Sequence, residues 1–247
     1  WPVSVFYNKQ QLTSSTVKTL AETETVAFLI IHNDSIVHEE YNDYYNQNSQ
    51  SNSFSVAKSI VGILTGIAAS EGKINLDDKV GKYLEAYSKS PNDQLTIRNL
   101  LTMSSGLNWD ESYGSLFSKT TKAYYGRNLK DQMNELQVVN KPGGTFQYMS
   151  CNTLILALVI EKATGKNISE YASEKLWMPI HAEHPAHWSL DQADGTEKAY
   201  CCFYSTARDF ARIGKLYLDS GSVDGIQIVP KDYVKLSLTP NLLKDAD

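Results

Sequence analysis

The chain reads as a mixed α/β protein, and three stretches carry that reading. A polar turn, His32-Asn33-Asp34-Ser35, separates two short β-rich runs at about 25–31 and 36–41, which predicts an antiparallel hairpin. Apolar residues at 56, 57, 60, 61, 63, 64 and 67 then follow a polar run. That pattern is too long for most strands and predicts a buried helix of about four turns over 54–69. A second hydrophobic helix is expected from Leu154 to Ala163, stopped by Gly165.

The remaining elements follow from caps and breakers. Val26, Phe28, Ile30 and Ile36 surround that turn cluster, and His32 and His38, which flank it, read as ordinary strand-end histidines. After Gly72, Asn75-Leu76-Asp77-Asp78-Lys79-Val80 reads as a loop into a short helix, and Thr96 caps a helix through Leu101 that Gly106 closes. Residues 107–147 show little periodicity and many aromatics (Trp109, Tyr113, Phe117, Tyr124, Tyr125), the signature of a cleft-lining loop or a poorly packed edge. Pro142-Gly143-Gly144 is a turn. A helix from about Ile168 to Trp177 ends at Pro179, and Thr206 with Asp209 forms a capping box for a helix to Leu218, closed by Gly221. A short strand at 226–229 and a last helix from Lys231 complete the expectation.

Composition excludes several functions. The 247 residues suffice for one large domain or two intimate ones. A formal charge of −5 without a Lys/Arg block argues against a nucleic-acid surface. The apolar core of 54–69 is short of the roughly 20 residues of a membrane span, so no transmembrane segment is expected. No phosphate loop, dinucleotide fingerprint or Gly-x-Ser-x-Gly elbow is present, and no cofactor is expected. His181, His184 and His187 invite a metal, but Pro185 breaks the helix that would align them. The three cysteines, Cys151, Cys201 and Cys202, read as buried free thiols. Fifteen tyrosines against seven phenylalanines suggest half-wet surfaces or a cleft rim. The start at Trp1, without a recognisable leader, is expected of a chain whose targeting segment has been removed or that was cut from a longer one.

The candidate chemistry centres on Ser55-Val56-Ala57-Lys58. Ser-x-x-Lys also occurs at Ser15/Lys18 and Ser70/Lys73, but only Ser55 opens a hydrophobic helix. The spacing puts Lys58 one turn above Ser55 on the same face, the layout of an activated nucleophile. The bland alternative makes Ser53 or Ser55 an N-cap and Lys58 a solvated residue. A first-turn lysine opposes the helix dipole, however, so stability does not favour it there. As a base near neutral pH, lysine must drop from its usual value of about 10.4 to about 7–8, some 4 kcal/mol, and burial has to supply most of that.

Several segments together resemble the serine hydrolases related to class C β-lactamases and serine D-peptidases. Ser55-Val56-Ala57-Lys58 matches the first motif of that family. Thr96 to Leu107, Tyr148-Met149-Ser150 before Glu161-Lys162-Ala163-Thr164-Gly165, Ser205 to Arg212 and Gln227-Ile228-Val229-Pro230 are similar to its later segments. The resemblance implies an antiparallel sheet flanked by helices: an α/β part from 1–54 and 205–247, with a mainly helical part over 55–204 and the nucleophile helix at the junction. It implies Ser55, Lys58 and Tyr148 as the catalytic set of an acyl-enzyme route on a small ester, amide or peptide-like substrate, with either Lys58 or, as a partial phenolate beside a charged lysine, Tyr148 as the base and the Ser55 N–H as one oxyanion donor. Ser150, Asn152 and Tyr125 are the substrate-side candidates; Ser150 and Asn152 also read as caps of the following helix. Ser150 stands where the family commonly has Asn, which weakens a β-lactamase reading and suits the esterase and amide-hydrolase branches. The third motif, a Lys/His-x-Gly strand, is expected after position 240 and is not found before Asp247. A penicillin-binding sensor acylated at Ser55 with little turnover, and a non-catalytic homologue, remain open at this point, as does the oligomeric state. The family also implies an extracytoplasmic location.

Overall fold

The computed structural model describes residues 1–42, 44–240 and 243–245. The 205–247 stretch is therefore described except for positions 241, 242, 246 and 247. The elements run α1 (Ser14–Glu22), β1 (Ala27–His32), β2 (Ser35–Tyr41), β3 (Gln50–Asn52), a 3₁₀ turn (Phe54–Val56), α2 (Ala57–Ser70), α3 (Ile97–Leu101), α4 (Lys119–Tyr125), α5 (Leu129–Asn134) and β4 (Thr145–Phe146). They continue with α6 (Ser150–Thr164), α7 (Ile168–Ala172), β5 (His187–Trp188), β6 (Phe203–Thr206), α8 (Ala207–Leu218), β7 (Ser222–Val223), β8 (Ile226–Gln227), α9 (Lys231–Ser237) and β9 (Lys244–Asp245). The fold class is the expected mixture of helices and antiparallel sheets. β1 and β2 form a hairpin with a register shift at Ile30/Ile31, and β6 is the middle strand of an antiparallel β3-β6-β5 sheet.

The core lies between α2 and α6. Residues 150–160 of α6 are all buried, and a helix apolar all round belongs at the centre of its domain rather than on its surface. It begins at Ser150, four residues before the expected Leu154, because Ser150, Cys151, Asn152 and Thr153 form a buried first turn despite their polarity. Gly165, at φ +73°, closes it in the left-handed conformation that a Cβ would disfavour. α2 presents Ile60, Val61, Ile63, Leu64 and Ile67 to the core. On its other side α9 docks by Tyr233, whose hydroxyl donates to Gly62 O at 2.5 Å. A Cβ on Gly66 would stand 2.3 Å from the Tyr233 ring. Gly66→Ala is accordingly expected to cost about 1–3 kcal/mol through overpacking. A fall of about 2–4 °C in melting temperature per kcal/mol would register it.

Three expectations are corrected. Residues 107–147 hold two short helices, α4 and α5, the first capped by Ser118, whose hydroxyl accepts from Thr121 N. The capping box at Thr206 is half formed. Thr206 Oγ1 accepts from Asp209 N, but the buried Asp209 carboxylate turns to Glu183 N at 2.6 Å and His184 N at 3.1 Å. Those two N–H groups would otherwise be left unsatisfied. Lastly, Cys201 and Cys202 are joined to each other, with Cys202 at φ +59°, and Cys151 alone is a free buried thiol.

β2 is tied to α8 by an almost fully buried carboxylate. Glu39 accepts two hydrogen bonds from Arg208, at 2.8 and 2.6 Å, and further ones from Tyr41 and Tyr7. Burial pushes the Glu39 carboxyl up, but the hydrogen bonds from Arg208 and Tyr41 and the guanidinium charge outweigh it, and the net displacement is downward. A depressed folded-state value contributes stability above the unfolded value of about 4.3 and loses it as pH falls through the folded value. Glu39→Gln should cost about 3–5 kcal/mol at pH 7 by removing the buried charge that pairs with Arg208, with the deficit narrowing below about pH 4. Urea melts of both proteins at pH 7 and pH 3 measure that narrowing.

Candidate active site

Strand pairing delivers the nucleophile candidate. β3 runs antiparallel to β6, and the next residue, Ser53, donates its N–H to Phe203 O at 2.8 Å. The chain then reverses through Phe54, held at φ +44° with its N–H donated to Asn52 Oδ1 at 2.8 Å. A non-glycine residue in that region costs of order 1–3 kcal/mol, a strain that concentrates at functional sites. Ser55 follows, exposed, in the 3₁₀ turn at the head of α2. Its N–H has no backbone acceptor among the described residues.

Lys58 lies one turn above. Its Nζ is 3.2 Å from Ser55 Oγ and donates to Tyr200 O at 3.0 Å. The carbonyl comes from the segment leading into β6, so the same strand pairing that presents Ser55 also anchors the lysine. Two tyrosine rings flank the amine: Tyr148 with its centroid 4.9 Å away and Tyr200 at 5.5 Å. Tyr148 is 38% exposed. Among the described residues its hydroxyl bonds to neither Ser55 nor Lys58, so the three side chains converge through the ring face. Lys58, Ser53, Val56, Met103 and Phe146 border an open, mainly apolar cleft of about 1460 Å³.

The other predicted residues are placed differently. Ser150 is buried at the start of α6; its N–H and hydroxyl both go to Glu111. Asn152 is fully buried and donates to Met103 Sδ. Tyr125 is 80% exposed and packs edge-on against Tyr124, at 4.8 Å between centroids. None of the three touches Lys58.

Glu111 and Tyr200 escaped the sequence reading. Glu111 Oε1 accepts from Tyr113 Oη at 2.5 Å and Ser150 Oγ at 2.6 Å, and Oε2 from Trp109 Nε1 at 2.6 Å and Ser150 N at 2.7 Å. Desolvation, then the Glu111 hydrogen bond and charge, push the Tyr113 phenol up, so it remains a protonated donor at neutral pH. Tyr200 is buried, its phenol also pushed up by burial, and its hydroxyl has no hydrogen-bond partner among the described residues. The alternation Trp109-x-Glu111-x-Tyr113 was the only local signal, and the partner Ser150 is 39 residues away.

The histidines have separate neighbours: His181 with Asp224, His184 with Asp209, and His187 stacked on Tyr204. Among the described residues no group of three His, Cys, Asp or Glu side chains is arranged to hold a metal ion, and no helix is long and apolar enough to cross a membrane.

A serine at a helix head, a lysine one turn on and a tyrosine ring over the amine define a Ser-Lys site on an α/β scaffold. The β-lactamase family pattern matches residues 13–242, and the chain belongs to that family. It is 29% identical over 226 residues to the 6-aminohexanoate-dimer hydrolase of Paenarthrobacter ureafaciens, an alignment covering 87% of this chain and 57% of that protein. A Bacillus anthracis structure, provisionally described as a 6-aminohexanoate-dimer hydrolase, superposes with a TM-score of 0.83 at 25% identity, over 95% of this chain and 66% of that one. A penicillin-binding protein of Bacillus halodurans shares the fold (TM-score 0.71, 20% identity, 94% of this chain and 80% of the other). The chain thus spans 57% and 66% of the lengths of the first two.

Proposed function

We propose that the protein is a serine hydrolase that cleaves a small ester, amide or peptide-like substrate through an acyl-enzyme at Ser55. The observation that carries this reading is the 3.2 Å approach of Lys58 Nζ to Ser55 Oγ, with the amine pinned by Tyr200 O. In its unprotonated form the amine donates one N–H to Tyr200 O and turns its lone pair to the Ser55 hydroxyl. Ser55 Oγ then bonds the carbonyl carbon while its proton passes to Lys58. The Ser55 N–H, without a backbone acceptor among the described residues and at the positive end of α2, stabilises the oxyanion. Collapse breaks the bond to the leaving oxygen or nitrogen, which takes the proton by way of Lys58 and Tyr148; water then releases the acyl group. The kinship with a hydrolase of 6-aminohexanoate dimers supports the amide option.

Stopped-flow mixing with a p-nitrophenyl ester tests the reading. A nitrophenol burst stoichiometric with protein, followed by slower turnover, is expected. A linear trace of equal slope in Ser55→Ala would refute it, and an adduct that persists for hours would identify an acylated sensor instead. An extracytoplasmic location, implied by the family resemblance, belongs to the same proposal.

A further inference from the structure

We infer that Glu111 is a positioning residue for Tyr148, fixing the phenol beside Lys58 by capping α6 from a remote loop; this rests on the acyl-enzyme reading of the site. The carboxylate receives four donors, two on each oxygen, at 2.5–2.7 Å. That set uses the acceptor capacity of both oxygens, so Glu111 has no lone pair to offer a substrate cation or a transferring proton. What it can do is hold. Met149, the N-cap of α6, makes no side-chain capping bond, and the first helical N–H, that of Ser150, goes to Glu111 instead. A negative charge is favourable at that helix end.

Tyr148 lies between two backbone anchors: Gln147 N–H donates to Met103 O at 2.7 Å, and Ser150 N–H donates to Glu111 at 2.7 Å. The Tyr148 side chain, 38% exposed and without a hydrogen bond of its own among the described residues, depends on those anchors for its place over the amine, 4.9 Å away. Ser150 takes part for a physical reason. Its short hydroxyl reaches Glu111 rather than Lys58, so the second motif is braced toward the 109–113 loop and away from the lysine.

The test combines kinetics with a probe that needs no activity. Glu111→Ala should slow acylation by an activated ester on the order of 10–100-fold with apparent KM unchanged, the scale of a displacement near 1 Å. Glu111→Gln, which keeps the size and one acceptor oxygen that the amide can turn to Ser150 N–H in place of Oε2, should recover part of that rate. In a Tyr148→Phe background, Glu111→Ala should add less than about twofold, because coupled residues are non-additive. Independently, the ¹⁹F resonance of 3-fluorotyrosine at position 148 should shift or broaden in both Glu111 variants and stay put in Glu170→Ala, a surface control. If Glu111→Ala does not fold, Glu111→Gln carries both arms. Wild-type acylation rates, effects that multiply with Tyr148→Phe, or an unmoved resonance would overturn the inference. If no variant acylates while the resonance moves, the acyl-enzyme reading fails and the positioning of Tyr148 stands.

Discussion

Ser55→Ala is expected to lower burst and turnover with an activated ester to background, a loss of about 10⁴-fold or more, on the scale of removing a serine nucleophile that acts within a catalytic unit. The fold should be indifferent to the change. Ser55 is exposed, its hydroxyl hydrogen-bonds only Lys58 among the described residues, and the turn before α2 is organised by Phe54, through Asn52. The melting temperature should therefore stay within about 2 °C of wild type, as for a surface substitution. A large drop in stability would make Ser55 a structural cap rather than a nucleophile.

Lys58→Ala is the second large effect, about 10²–10⁴-fold on acylation, the range of a lost general base. Because Lys58 acts through Ser55, combining the two substitutions should cost no more than Ser55→Ala alone. Lys58→Arg should not rescue. A guanidinium stays protonated across the accessible pH range and offers no lone pair to the serine, although it could still donate to Tyr200 O. Recovery of more than about a tenth of the rate by arginine would mean that the cation, and not the base, is what the site requires.

The sequence made the head of α2 legible because its signal is local: a helical period and a three-residue spacing put Ser55 and Lys58 on one face. Tyr148 was reached through its motif and the helix that follows. Tyr200 and Glu111 were not, since the contacts that matter span 142 residues to Lys58 and 39 to Ser150. α4 and α5, at seven and six residues, are too short to show a period, and their caps lie in a stretch dominated by aromatics. The Cys201–Cys202 bond joins adjacent residues, one of them with a left-handed backbone, and counting three cysteines does not foretell such a pairing. The hairpin at 27–41 was legible to within two residues, its polar turn marking both strand ends.

The most direct measurement is peptide mapping by mass spectrometry after quenching the protein at short times with an activated ester. One acyl group per chain is expected, on the peptide containing Ser55, absent from Ser55→Ala and much slower to appear in Lys58→Ala. An acyl group on any other residue, or one that forms equally in Ser55→Ala, would contradict it.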